Sequence, residues 1–248
     1  MPTFNQLNSN NDSDIEITSS NTYSSSVNQS SILTKVFGVM FVSLLLTAVV
    51  SYGIAYLLTT LVSDYDTLVD ALFVTMIVSI IGSLTMAFVL PSTLAKGKHS
   101  ILPAYIIYCL FISGMISSLF ILFDLDIIII TFGVTALCFG IMGLLGYVSK
   151  GSMKGASLLV SGMIIGILVL SIINLILRSS SIGWFVSFGI LAVMLFVTMM
   201  DVRNIKQIIN NGSNNSNIVL YCSFELYLDF INIFLRLLPY IARIYSKK

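Results

Sequence analysis

The stretch IVLYCSFELYLDFINIFLRLLPYI, residues 218–241, governs how the rest of the chain is read. It is long enough to cross a hydrocarbon core as a helix, which takes about 20 apolar residues. Yet it carries Glu225, Asp229, Asn232 and Arg236. These follow one another at spacings of four, three and four, so on a helix they form one polar stripe with apolar faces on either side. A carboxylate at membrane depth is costly unless it is paired, hydrated or protonated. Such a helix is best buried, with its stripe turned towards other protein.

Six further apolar runs can wrap around it: residues 36–62, 68–90, 101–123, 127–148, 156–177 and 182–200. Strand-type alternation is absent, so a closed β-barrel has no support. The expected fold is an all-α integral membrane protein, a seven-helix transmembrane bundle with the last helix central. Six spans plus a re-entrant last helix is the alternative, because a seventh crossing carries Arg236, Arg243, Lys247 and Lys248 towards the non-cytoplasmic side. Residues 1–31 are rich in Ser and Asn and read as a disordered polar tail before a multi-pass domain, 32–248.

Composition narrows the function classes. Only 9% of the 248 residues are charged, against roughly 25% in an ordinary soluble domain, which argues against a water-soluble enzyme. The 12 Lys plus Arg against 11 Asp plus Glu leave no basic surface for nucleic acid. Cys109, Cys138 and Cys222 follow no metal or disulfide spacing and read as small apolar residues. The lone His99 lies in a loop, and no HExxH motif is present.

Lys35, Lys96, Lys98, Lys150, Lys154, Arg203 and Lys206 fall on one side of the bundle and Arg178 on the other, which places the N-terminus in the cytoplasm. Asp64, Asp66, Asp70, Asp124 and Asp126 fall on the far side, as solvated loop faces or a shallow funnel for cations. Gly140, Gly143 and Gly146, and the pair Gly162 and Gly166 at GxxxG spacing, read as helix-packing positions.

Only Asp201, Glu225 and Asp229 remain at or within membrane depth. Asp201 ends the sixth run and opens MDVRNIKQI, read either as an interfacial helix end with its charges in water or as a partner for Asp229. Two carboxylates brought together in a poorly hydrated site cannot both ionise cheaply, so such a pair shares a proton near neutral pH. When both are ionised they offer hard oxygens to Ca2+, with water or carbonyls supplying the remaining ligands. Glu225, one helical turn from Asp229, can contribute to a cation site. Arg236, helped by Asn232, can serve as a structural partner of Asp229, and Asn174 as an interhelical hydrogen-bonding residue.

At these residues the sequence resembles the Bax inhibitor-1 superfamily and its bacterial relatives. The resemblance rests on LTKVFGVMFVSLLLTAVV at 33–50, GYVSKGSMKGASLLVSGMIIGILVLSIINLIL at 146–177, LFVTMMDVRNIKQI at 195–208 and LYLDFINIFLRLL at 226–238. It implies a seven-helix bundle with a central last helix, acting as a pH-sensitive calcium leak, with the aspartates matching Asp201 and Asp229 as the proton-sensing pair. Some bacterial relatives latch that pair with an arginine in the second helix, whereas residues 68–90 hold no Lys or Arg.

The expected function is therefore a non-enzymatic, pH-sensitive calcium-permeable leak channel gated by Asp201 and Asp229, with Ca2+ and H+ as its ions and no cofactor. A proton-coupled cation exchanger or a membrane regulator acting through partner binding is the alternative. An aspartyl intramembrane protease lacks support, since neither MMD at 199–201 nor YLD at 227–229 resembles glycine-x-glycine-aspartate. The expected location is a bacterial plasma membrane, with endoplasmic reticulum or Golgi as the alternative.

Overall fold

The computed structural model describes the backbone of residues 4–62, 64–96, 100–149, 154–177, 180–210 and 216–246, and the side chains of 31–62, 64–94, 100–149, 160–172, 183, 185–209 and 216–246. The described backbone forms seven helices and no strand: α1 (Phe4–Leu61), α2 (Tyr65–Lys96), α3 (Leu102–Leu122), α4 (Leu125–Val148), α5 (Lys154–Leu177), α6 (Ser180–Asn210) and α7 (Ser216–Tyr245). In hydrocarbon a helix pairs its backbone N–H and C=O groups within one segment, so uninterrupted apolar runs of this length fold no other way.

Among the described residues six helices are long and apolar enough to cross a membrane, including Ser31–Leu61 of α1 and all of α7; the described part of α5, Val160–Ile172, is a shorter apolar helix. The chain is an integral membrane protein with multiple helices. Its outer surface is apolar, with Leu61 and Phe88 each 78% exposed, an exposure that only lipid can cover.

Helix ends follow local chemistry. The Asp64 carboxylate accepts hydrogen bonds from the Thr67 backbone N–H at 3.2 Å and hydroxyl at 2.9 Å, capping α2. Pro103 sits in the first turn of α3, where its missing N–H has no intrahelical partner to lose. Asp124 precedes α4 and Asp126 lies in its first turn, both favoured by the positive end of the helix dipole. All five far-side aspartates are exposed, the arrangement of solvated helix ends.

α7 occupies the centre, packing on α1, α4 and α6 and touching α2 and α3. It runs without a break past Pro239, and 30 residues at about 1.5 Å each give about 45 Å, more than the thickness of the hydrocarbon core. Buried hydroxyls tie it to its neighbours. Tyr227 and Thr47 of α1 share a hydrogen bond of 2.8 Å, and the Ser223 hydroxyl donates to the Val36 carbonyl at 2.9 Å. The Tyr105 and Tyr108 rings of α3 meet Phe224 edge to face.

The glycine expectations separate. Gly146 lies against the Met199 carbonyl, bringing α4 and α6 into backbone contact. A methyl at Gly162 or Gly166, by contrast, would meet nothing within 4 Å. That pair is not a packing seam: both glycines are exposed, and α5 instead seats Ile167 on Gly189 of α6, 3.6 Å from a Cβ placed there. Two close approaches unmarked by sequence join α2 to α3, Gly82 against the Phe111 ring and Gly114 against the Ser79 hydroxyl.

The backbone of α1 is helical from Phe4, through the polar segment expected to be a tail, whose side chains lie outside the described set up to residue 30. So do the side chains of Asn174, His99 and Arg178.

Candidate functional site

α6 does not end at Asp201. It continues to Asn210, so Asp201 lies about 14 Å inside its C-terminal end at about 1.5 Å per residue. Asp229 lies about 20 Å along α7 by the same measure. α6 and α7 pack together, and they bring the two carboxyl groups close enough to act directly on one another. A hydrogen bond between them needs a proton on one, since an ionised carboxylate only accepts.

The surroundings make that proton consequential. Asp229 is 6% exposed, and its Oδ2 is fully buried with no hydrogen-bond partner. The Thr198 hydroxyl, one turn before Asp201 on α6, stands beside Asp229 while donating to the Met194 carbonyl at 3.0 Å. Asp201 is half-buried. Glu225, also half-buried, lies beside the Tyr221 hydroxyl and close enough to Asp201 to repel it. The site is thus three carboxyls on the α6–α7 seam, with no cation among the described groups acting on them.

The positive charges point elsewhere. Arg203 is 4% exposed and donates through Nη1 to the Ser149 hydroxyl at 3.1 Å. Lys206 Nζ donates to the Tyr147 carbonyl at 2.8 Å and lies 4.3 Å from the centre of the Tyr147 ring. Both close the C-terminal end of α4, where unpaired carbonyls and the negative end of the dipole favour cations. This corrects the reading of MDVRNIKQI as a helix end with its charges in water: the first basic residue is buried and the helix runs on.

The polar stripe of α7 is followed only in part. Glu225 and Asp229 face α6, Asn232 is half-buried and Arg236 is exposed. Among the described residues no ion pair joins Arg236 to Asp229. Nor, among the described residues, do any three His, Cys, Asp or Glu side chains converge closely enough to hold a metal ion.

Comparison with known proteins bears on the same residues. The family model described as "Inhibitor of apoptosis-promoting Bax1" matches residues 29–245. The chain belongs to the Bax inhibitor-1 family. Its relatives include an uncharacterized protein of Borreliella burgdorferi, 30% identical over 85% of this chain and 91% of that protein. The inner membrane protein YbhL of Escherichia coli K12 is 31% identical over 83% of this chain and 88% of YbhL. A Rickettsia prowazekii protein is 27% identical over 84% and 87% respectively.

Within this Bax inhibitor-1 family member the sequence brought Asp201, Glu225 and Asp229 to notice but not Thr198, Tyr221 or the buried Arg203. Thr198 and Tyr221 were discoverable by helical spacing, three residues before Asp201 and four before Glu225. The burial of Arg203 was not, because it depends on where α4 ends in space.

Proposed function

We propose that this Bax inhibitor-1 family protein is a pH-sensitive, calcium-permeable leak channel gated by Asp201 and Asp229. The observation that carries the proposal is the juxtaposition of the Asp201 and Asp229 carboxyls on the seam between α6 and the central α7, with no cation among the described groups acting on them. A shared proton holds the two helices together. Its loss leaves two like charges in a poorly hydrated seam, which repel each other and attract a hard cation. The proton therefore biases α7 between two packings, and the permeant ion selects one of them. Asp201 and Asp229 would offer Ca2+ carboxylate oxygens only transiently, with water completing its shell; Glu225 is placed to attract the ion next.

In this reading all seven helices cross a bacterial plasma membrane, with the N-terminus cytoplasmic and α7 the last crossing. No cofactor and no catalytic step are involved. The test is calcium flux in proteoliposomes holding the purified protein, followed from about pH 6 to about pH 8, the range where a coupled carboxyl pair can titrate. A calcium flux that changes across this range, without proton counterflow, supports the leak. Obligatory proton counterflow would replace it with exchange, and no flux above empty liposomes would overturn both.

A further inference from the structure

α1 and α4 lean on α7 from two sides and leave a fissure of about 610 Å³ between them. Leu33 and Leu44 mark its ends on α1, Gly140 and Tyr147 stand on α4, and Val202 and Phe230 form its floor. The two floor residues directly follow Asp201 and Asp229 in sequence. The walls face outward: Phe41 is 54% and Leu144 67% exposed.

We infer that this fissure binds an acyl chain of an anionic phospholipid, taken from the leaflet on the Lys206 side of the bilayer. Three observations select that occupant. The first is chemical: the lining is aliphatic and aromatic, so along its length it suits hydrocarbon and offers a water-soluble ligand no polar anchor. The second is length. The lining runs about 16 Å along α1, from Leu33 to Leu44, and about 22 Å along α4, from Phe132 to Tyr147, at about 1.5 Å per residue, short of the ~30 Å hydrocarbon core. That fits a lipid tail from one leaflet and is too short for a second transmembrane helix. The third is charge. Lys206 is one turn beyond Val202 on the same face of α6, so its ammonium stands where the fissure ends at Tyr147. One of its three hydrogens goes to the Tyr147 carbonyl; an ammonium has two more to offer a phosphate. A net negative headgroup suits that single cation better than a zwitterion, whose own amine it repels.

Gly140 makes the test clean, because a Cβ there would meet nothing within 4 Å. Gly140→Phe should fill the fissure without disturbing the helices. The protein is reconstituted in nanodiscs of equal phosphatidylglycerol and phosphatidylcholine, and retained lipid is weighed by native mass spectrometry after transfer to detergent. The expected result is one retained phospholipid on the wild type, phosphatidylglycerol over phosphatidylcholine. Gly140→Phe should lose it at an unchanged unfolding midpoint, and Lys206→Gln should lose the preference for phosphatidylglycerol. Equal retention by Gly140→Phe and wild type would overturn the site. Equal retention of the two lipids by the wild type would overturn the anionic assignment.

Discussion

α2 and α7 are nearly equal in length, 32 and 30 residues, and both are long and apolar enough to span a bilayer, yet they meet opposite surroundings. In the most apolar stretch of α2 only 6% of residues are buried within protein, against 56% in α7. α2 packs mainly on α3, where Gly82 and Ser79 fit against Phe111 and Gly114, and most of its remaining surface meets lipid. α7 is enclosed, and with α6 it carries carboxyls into the interior. Polar groups thus go where neighbouring helices can answer them with hydroxyls, carbonyls or a second carboxyl. The lipid-facing helix is free to be uniformly apolar, and the enclosed one is free to do chemistry.

Substitutions at matched positions test this division. Gly146→Leu should have the largest effect, because the new side chain meets the Met199 carbonyl and pushes α4 from α6; overpacking of this kind costs about 1–3 kcal/mol. It should appear as a fall in the unfolding midpoint in detergent. Tyr227→Phe removes the hydrogen bond to Thr47 and should cost about 0.6 kcal/mol, the average for such bonds inside membrane proteins, and at most about 1.7 kcal/mol. A double-mutant cycle with Thr47→Val checks that the loss belongs to the pair.

Asp64→Ala should give a smaller fall, since the cap it removes lies at an exposed helix end. Hydrogen bonds from Thr67 hold the Asp64 carboxyl below its ordinary value. Its contribution is therefore fully present above the ordinary carboxylate pKa and is lost as pH falls through the lowered one. The difference between wild type and Asp64→Ala should accordingly close in acid and be constant at neutral pH. Gly162→Leu should leave the midpoint unchanged, because that glycine faces open space; a loss as large as that of Gly146→Leu would show that α5 packs through its glycine pair after all.

Hydropathy made the helices legible and the polar stripe of residues 225–236 made α7 recognisable as the enclosed one. The pairing of Asp201 with Asp229 was one of two readings open for Asp201, raised because few acids lay at membrane depth and named again by the family resemblance. What stayed hidden depends on facing rather than composition. Gly146 and Gly162 look alike in sequence, and only the rotation of each helix puts one against a carbonyl and the other towards lipid. Arg203 looked like a loop charge because the apolar run stops at Met200, whereas α6 is carried further by its contact with the end of α4. Arg236 continues the stripe at helical spacing, but it is exposed while Asp229 is enclosed.

The most direct measurement is the pH profile of calcium flux for Asp201→Asn, Asp229→Asn and the double variant beside the wild type, in proteoliposomes and with folding verified. Since one proton is shared, either substitution should abolish the wild-type pH dependence, and the double variant should behave like the single ones rather than adding to them. A wild-type profile retained by either single variant would contradict gating by the pair.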